Sequence, residues 1–224
     1  VNNSVYSCGV AALAKLKAGD VKFVDRNGDG VISTGDNTVG KPGDRYIIGN
    51  SLPRYTYSFR GDIDWYGFNL SVFFQGIGHC DWMPPKNCSY FWSLYGFPAS
   101  SFVPTDFESK TWTEDRRNAY FPRRRGYSTY SGAALGVNTD RYLQNAAYIR
   151  LKNITLGYTL PIKQNKAVEK VRIYATGENL WYWSPMKRHS KYIDPEVATS
   201  SSSQDDDCIY PFSRTVSLGI DITF

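Results

Sequence analysis

The chain has 224 residues, of which 16% are aromatic and 21% charged, with a formal net charge of +5 and a mean hydropathy of −0.42. A high content of aromatic residues in a chain with a polar mean hydropathy is more typical of exposed β-structure than of a helical core. No apolar run approaches the roughly 18 residues that a membrane-spanning helix needs, which excludes helical spanning. Membrane strands are not excluded, because they are only about ten residues long and alternate in polarity.

The cysteine pattern argues against a zinc site, because the spacing is wrong and only two histidines are available. The four cysteines are Cys8, Cys80, Cys88 and Cys208. In an oxidising compartment, Cys80 and Cys88 are close enough in sequence to pair, so we predict them as a disulfide candidate.

The sharpest local motif near the start of the chain is DRNGDGVISTGD, residues 25–36. Oxygen side chains at loop positions one, three and five, with Gly30 at position six, match the spacing of a calcium loop. The predicted ligands are Asp25, Asn27, Asp29, the backbone carbonyl of Val31, and Asp36. Asp36 is shorter than the usual glutamate, and no convincing helix flanks the loop. A turn rich in Asp, Asn and Gly that binds no metal remains an equal alternative.

Two segments, residues 54–65 and 68–77, alternate between apolar and polar side chains and predict a hairpin with a tight turn at Tyr66-Gly67. Arg60, Asp62 and Asp64 share one parity and cannot face lipid. We therefore expect that face to line the lumen of a barrel.

Three further segments predict strands: residues 146–160, 170–181 and 213–224. Within 146–160 the apolar parity switches near Lys152 and Asn153, which indicates either a β-bulge or a strand that leaves the bilayer. The final strand ends on Phe224. We expect its free edge to be paired with another strand. Short and long connections alternate along the chain, as they do in an outer-membrane barrel, whose extracellular loops are the long ones.

Seven blocks of sequence resemble the C-terminal region of the SusC/RagA family of TonB-dependent outer-membrane transporters. They are GDVKFVDRNGDGVI (19–32), IGNSLPRYTYSF (48–59), DWYGFNLSVFFQGIG (64–78), YLQNAAYIRLKNITLGYTLP (142–161), VRIYATGENLW (171–181), YIDPE (192–196) and YPFSRTVSLGIDITF (210–224). The resemblance implies an all-β fold, an antiparallel transmembrane barrel of about 22 strands, to which this chain contributes roughly the last five. Residues 1–53 would be an extracellular loop region and residues 54–224 barrel strands with long loops. The family's plug domain and TonB box are absent from this sequence, so we expect the chain to be a C-terminal piece or to be completed by another chain.

The resemblance also implies nutrient uptake at the outer membrane of a Gram-negative bacterium, in contact with its lipid. A SusD-like surface lipoprotein would act as a lid, the TonB complex would act through the plug, and the substrate would be an oligosaccharide or a peptide. No cofactor is required, although calcium is possible at the loop above. The alternative is a secreted calcium-binding domain, dockerin-like or carbohydrate-binding. Without motif-spaced nucleophiles or phosphate loops we expect no enzyme, and the arginine-rich loop 116–125 is read as a solvated face, not as a nucleic-acid site.

Aromatic residues are concentrated in the two long irregular segments, residues 78–141 and 183–212, and just before the second. Under the resemblance these rings would contact the ligand or the lid, and stacking on sugar rings is one such contact. The candidates are Trp82, Tyr90, Trp92, Tyr95, Tyr182 and Trp183. The competing interpretation is an interfacial aromatic belt or packing between loops.

Overall fold

A computed structural model describes residues 16–129, 134–162, 168–198 and 212–224. It divides into two compact units. We call the described parts of residues 1–49 and 83–143 the loop unit, and those of residues 50–82, 144–200 and 209–224 the sheet unit. Cys8, Cys208 and residues 199–211 of the second predicted loop lie outside the described residues.

The sheet unit is built on five antiparallel strands. They are β1 (Tyr55–Trp65), β2 (Phe68–His79), β5 (Tyr148–Leu160), β6 (Lys170–Trp183) and β7 (Thr215–Thr223), hydrogen-bonded in the order β1-β2-β5-β6-β7. All five predicted strands are confirmed, with no end more than two residues from its predicted position. A small second sheet pairs β3 (Asp81–Trp82) with β4 (Gln144–Asn145). The described five-stranded sheet is open, with β1 and β7 at its edges.

The predicted hairpin turn joins β1 to β2 through two residues with positive φ, Tyr66 at 45° and Gly67 at 87°. Two consecutive left-handed residues are what a two-residue hairpin turn with a twist matching its strands requires. Gly67 also accepts a hydrogen bond on its carbonyl from Thr159 N–H at 2.8 Å, which fixes the turn to β5.

The strand register gives the sheet one apolar and one polar face. A row across the apolar face is Ile63, Leu70, Leu156, Ala175 and Leu218. The neighbouring row on the polar face is Asp62, Ser71, Thr155, Thr176 and Ser217. Apolar side chains on the first face are strongly exposed, with Ile63 at 62% and Leu218 at 82%. Because side chains alternate with period two, the continuity of these rows depends on correct register in every pair.

A β-bulge at Lys152 decides between the two interpretations of the parity switch. Phe73 pairs with Asn153 and the next residue, Phe74, pairs with Leu151, so Lys152 has no partner on β2. The extra residue returns Leu151 to the apolar face, which it shares with Ile154. The opposing strand β6 has a matching irregularity, where Asn179 takes a φ of 52°. The bulge interpretation is therefore confirmed, and the strand keeps one apolar face throughout.

Helical structure is limited to single turns. These are α1 (Ser89–Trp92), α2 (Phe107–Lys110), α3 (Pro195–Ala198) and three 3₁₀ turns, Ser93–Tyr95, Ala134–Gly136 and Pro185–Arg188. None of the described helices is long and apolar enough to cross a membrane.

The loop unit has a core made mainly of aromatic rings. The buried members of this aromatic core are Phe91, Trp92, Tyr95, Phe107, Phe121 and Tyr142. Ring centroids lie 5.1 Å apart for Trp92 and Tyr142, and 5.4 Å apart for Phe91 and Phe121, both in edge-on geometry. Edge-on aromatic pairs add stabilisation beyond the area that they bury. The segment predicted as irregular thus has little regular secondary structure, but its side chains form a packed core.

Candidate functional site

Charged side chains on the polar face of the sheet are paired with polar partners on neighbouring strands. Arg172 of β6 donates from Nη2 to Asn69 Oδ1 at 2.6 Å and lies 3.5 Å from Asp221 of β7 through Nη1. Its guanidinium crosses over Gly157 of β5, where a Cβ atom would stand 2.8 Å from Arg172 Nε. A side chain at position 157 would require the flexible ends of Asn69 and Arg172 to shift. One cation therefore bridges strands from β2 to β7.

Near the other end of the same face, four charged residues form what we call the ionic cluster: Arg150, Lys152, Asp194 and Glu196. The Arg150 and Asp194 side chains are each only 1% exposed and are hydrogen-bonded to each other. Arg150 Nε lies 3.0 Å from Glu196 Oε2, and Lys152 Nζ lies 2.8 Å from Glu196 Oε1. Two cations and two anions make the cluster neutral, as burial of charge demands.

The acidic half of the cluster comes from the YIDPE segment, which the cluster holds against β5. Asp194 follows a turn at residues 191–193 and caps the next one, because Glu196 N–H donates to Asp194 Oδ1 at 3.0 Å. The following turn, α3, begins at Pro195, a residue suited to the first helical position. Upstream, Ser190 Oγ donates to Gln144 Oε1 at 2.7 Å. The segment is thus tied to the strands by both hydrogen bonds and ion pairs.

Tyr182 and Trp183, both predicted ligand or lid contacts, lie on opposite faces of β6. Tyr182 pairs with Arg150, whose guanidinium carbon lies 4.8 Å from the tyrosine ring centre, and Lys187 Nζ lies 3.6 Å from the same ring. These are cation–π distances. Trp183 pairs with Ile149 on the apolar face and is 56% exposed, which agrees with the belt interpretation.

Three of the remaining aromatic candidates are buried and do not present a ring to a ligand. Trp82 is 8% exposed, and Trp92 and Tyr95 are each 1% exposed. Trp92 Nε1 donates to the Pro85 carbonyl at 2.8 Å. Direct contact by these three is corrected to packing within their own units, because their rings are covered by protein.

Tyr90 is the exception among the aromatic candidates of the loop unit. It is only half-buried, with its ring centre 5.3 Å from that of Phe102. Its contact with a ligand or lid stays a prediction.

The predicted disulfide is not formed in the structure, in which Cys80 and Cys88 are both buried free thiols. The Cys80 thiol donates to the Ser51 carbonyl at 3.1 Å. The Cys88 carbonyl accepts from Trp92 N–H at 2.8 Å at the start of α1.

The calcium-like loop is organised by carboxylates that accept backbone N–H groups. Asp25 accepts from Gly28 and Gly30 at 2.7 and 2.8 Å, and Asp29 Oδ1 accepts from Val31 at 2.7 Å. Asn27, the position-three ligand, also participates, since its amide donates to Asp29 Oδ2 at 2.8 Å.

The acid predicted at position twelve is not in place. Asp36 lies 3.3 Å from Lys41 and is exposed. In the described part of the chain, no three His, Cys, Asp or Glu residues are grouped so as to hold a metal. The geometry thus does not fit the full predicted ligand set, and calcium binding stays a prediction.

Asp44 is the loop residue that the motif did not identify. Its carboxylate accepts from the backbone N–H groups of Arg26 and Ser33, both at 2.7 Å, and so joins the two ends of the turn. Burial alone would raise the pKa of Asp44, but the hydrogen bonds from Ser33, Arg26 and Asn27 together lower it. An acid eight residues beyond position twelve closes this loop.

No protein-family model matches the chain. Curated proteins do match it. The chain is 26% identical over 215 residues to TonB-dependent receptor P26 of Formosa agariphila, covering 92% of this chain and 20% of that protein. It is 27% identical over 213 residues to TonB-dependent receptor P3 of the same organism, covering 90% and 19%. It is 26% identical over 211 residues to TonB-dependent receptor SusC of Bacteroides thetaiotaomicron, covering 90% and 17%. The chain is thus similar to TonB-dependent receptors, SusC among them.

Solved structures of the RagAB peptide transporter share the fold. The chain aligns with a chain of the RagAB peptide transporter at a TM-score of 0.57 and 23% identity, covering 80% of this chain and 18% of that one. A RagAB peptide importer in a closed-closed state aligns at a TM-score of 0.54 and the same identity, covering 82% and 18%. The chain spans about a fifth of the length of the proteins that it matches. None of these relatives is named as an enzyme.

Proposed function

We propose that the five strands form part of the wall of an outer-membrane barrel, the C-terminal part of a TonB-dependent nutrient importer. The observation that carries the proposal is the apolar face, which continues through every strand pair of the sheet. Soluble monomers rarely expose contiguous apolar patches beyond a few hundred Å². Lipid is the environment that accepts such a face.

The opposite face supports the same orientation. Arg60 and Asp62 form an exposed ion pair there, and Asp221 lies beside Arg172. A lipid-facing arginine would cost about 2–4 kcal/mol at the bilayer midplane, so these side chains belong on the lumen side. The open edges at β1 and β7 need further strands, because unpaired backbone groups in lipid cost several kcal/mol each.

The partners and the substrate follow from the relatives. We propose that a SusD-like surface lipoprotein acts as a lid, that the TonB complex acts through a plug in the longer protein, and that the substrate is an oligosaccharide or a peptide. The peptide class is supported by the similarity to RagAB, which is a peptide transporter, and the oligosaccharide class rests on the resemblance to SusC. In this scheme the ionic cluster fixes the YIDPE segment at one end of the lumen face. A calcium ion at residues 25–36 would stiffen that loop.

The orientation is tested with nitroxide labels on the natural gene product, extracted and reconstituted in lipid vesicles. Cysteines replace Leu218 and Ser217 in separate variants, and the unsubstituted protein gives the background from native thiols. The label at position 218 should collide with dissolved oxygen, which concentrates in lipid, and the label at 217 with a water-soluble nickel complex. Leu156 and Thr155 should repeat the alternation on β5. A protein that is soluble without detergent and shows no alternation would instead support the secreted alternative.

A further inference from the structure

A small cavity in the loop unit combines a basic end with an apolar wall. Its volume is about 80 Å³, it is partly open, and Asp20, Arg123 and Arg125 lie at its polar end. Val21 and Leu135 are among its apolar lining residues. A single water molecule needs about 10–15 Å³ of cavity volume. The cavity therefore has room for a carboxylate with a few attached atoms. It does not hold a whole oligosaccharide or peptide.

The polar end has one more positive charge than negative. The Asp20 side chain is only 7% exposed, and it accepts from Arg123 Nε at 2.8 Å and Arg125 Nη1 at 3.1 Å. Its Oδ2 also accepts the backbone N–H of Lys17 at 3.0 Å. Among the described residues that line the cavity, no other is charged. Two guanidinium groups around one carboxylate leave a net charge of +1, which favours an anion.

The two guanidinium groups retain unused donors. Each has five N–H bonds, and each uses one nitrogen for Asp20. Among the residues that the structure describes, neither side chain makes another hydrogen bond to protein. The side chains are 28% and 31% exposed, so their remaining donors are reachable from solvent.

The backbone around the cavity is fixed before any ligand arrives. Arg123 N–H donates to the Gly19 carbonyl at 2.8 Å, and Ser128 Oγ donates to the Arg125 carbonyl at 2.5 Å. Gly19 has a φ of +86°, and a Cβ atom there would lie 2.4 Å from the ring of Trp112. Only glycine fits at position 19, so packing against Trp112 fixes the backbone there. Preorganised donors bind an anion at a lower entropic cost.

We infer that this cavity binds the carboxylate group of an anionic ligand, with Arg123 and Arg125 as donors and Val21 and Leu135 against the adjoining carbons. A carboxylate matches the paired donors of arginine better than a neutral hydroxyl does. The carboxylate comes either from the end of a peptide or from an acidic sugar. That the ligand is an imported substrate rests on the proposed function, whereas the binding itself does not.

The test measures calorimetric binding to the purified natural gene product in detergent, with acetate, N-acetyl-alanine and glucuronate as probes. A ligand of this size should bind with a Kd on the order of millimolar. The substitutions Arg123→Gln and Arg125→Gln should each weaken binding about tenfold or more, the loss expected for one charge-assisted hydrogen bond. The matched control is Arg117→Gln, because Arg117 does not line the cavity and its Nε contacts only the Glu114 carbonyl, at 3.2 Å. Binding should be unchanged in that control.

A second variant separates binding from folding. Val21→Phe fills the cavity without touching the ion pairs of Asp20 and should abolish binding while the circular dichroism spectrum is kept. Tighter binding of N-acetyl-alanine than of glucuronate would assign a peptide end, and the reverse an acidic sugar. The inference is overturned if no probe binds, if Arg125→Gln binds as tightly as the unsubstituted protein, or if Arg117→Gln loses as much. The nitroxide experiment is independent, so failure of the membrane orientation and failure of carboxylate binding are separate results.

Discussion

The sheet unit and the loop unit obtain their stability in different ways. In the sheet unit every strand pairs along its length, and side chains alternate between an exposed apolar face and a polar face. In the loop unit, aromatic rings from distant parts of the chain, such as Phe91, Phe121 and Tyr142, meet in a core with hardly any strand or helix. The first arrangement depends on register, and the second depends on packing. Substitutions should therefore have different consequences in the two units.

Deletion of Lys152 should have the largest effect, because it removes the bulge on which the register of β5 depends. A one-residue shift moves every side chain beyond it to the opposite face. Arg150 would then face the apolar side, where a charge is disfavoured in lipid, and would lose Asp194 as its partner. We expect the natural gene product to fail to assemble, measured as loss of heat-modifiable gel migration and of protein in the outer-membrane fraction.

The control for that deletion is Lys152→Ala, which keeps the extra residue and removes only the amine near Glu196. This variant should assemble normally, because its register is unchanged. If the deletion also assembles normally, the parity of β5 does not depend on the bulge.

Replacement of Arg150 by Met should destabilise the sheet unit by about 3–5 kcal/mol, the cost of leaving a buried charge without its partner. The charge left behind is Asp194, whose side chain is 1% exposed. The measurement is the free energy of unfolding in detergent from a denaturant titration. The double variant Arg150→Met with Asp194→Leu should recover much of the loss, since no unpaired charge then remains.

A matched substitution on the same face is Arg60→Met. The Arg60 and Asp62 side chains are 70% and 51% exposed, and exposed ion pairs contribute little to stability. Equal destabilisation by Arg60→Met and Arg150→Met would contradict the role assigned to burial in the ionic cluster.

The strands could be predicted from the sequence because their signal is local. Alternation with period two is written in consecutive residues, and Tyr66-Gly67 marks the turn. The sequence also indicates the bulge, because the apolar residues change parity at Lys152. The alternation alone does not distinguish a β-bulge from a strand that leaves the bilayer. The distinction depends on the residues that face this point on β2, Phe73 and Phe74.

The loop unit and the ionic cluster could not be predicted in the same way, because their partners are far apart in sequence. Arg150 and Asp194 are separated by 44 positions, and Arg123 and Asp20 by 103. The available signal was weak: an arginine at a polar-face position of β5, and two acids in the YIDPE block. Trp92 and Tyr95 were assigned to ligand contact because the sequence does not report burial.

Substitution of Trp92 by Ala should destabilise the loop unit by about 3–5 kcal/mol, as is typical for removing a large buried aromatic side chain. Because the two units are separately compact, we expect the loss to be local. Hydrogen exchange should accelerate at amides of residues 88–129 and 134–143 while the strand amides of the sheet unit keep their protection. Phe97→Ala is the control, since Phe97 is 45% exposed. Uniform loss of protection in both units would show instead that they unfold together.

The smallest expected effect is the pH dependence that a buried tyrosine of the loop unit contributes. Burial raises the pKa of Tyr142 from its ordinary value near 10 to about 12. In that interval the unfolded chain has lost the phenol proton and the folded chain still holds it, so ionisation favours unfolding. The stability contributed by the neutral phenol is complete below pH about 10 and is lost as the pH rises to about 12. Burial also raises the pKa of Tyr95 and Tyr120, so absorbance at 295 nm should show several late-titrating tyrosines. Tyr142→Phe should remove the share of one tyrosine from that late titration, and the alkaline loss of protection in the loop unit should become shallower. An unchanged late titration in Tyr142→Phe would mean that this ring is not among the buried groups that ionise late, and that the aromatic core is more open to water than its packing indicates.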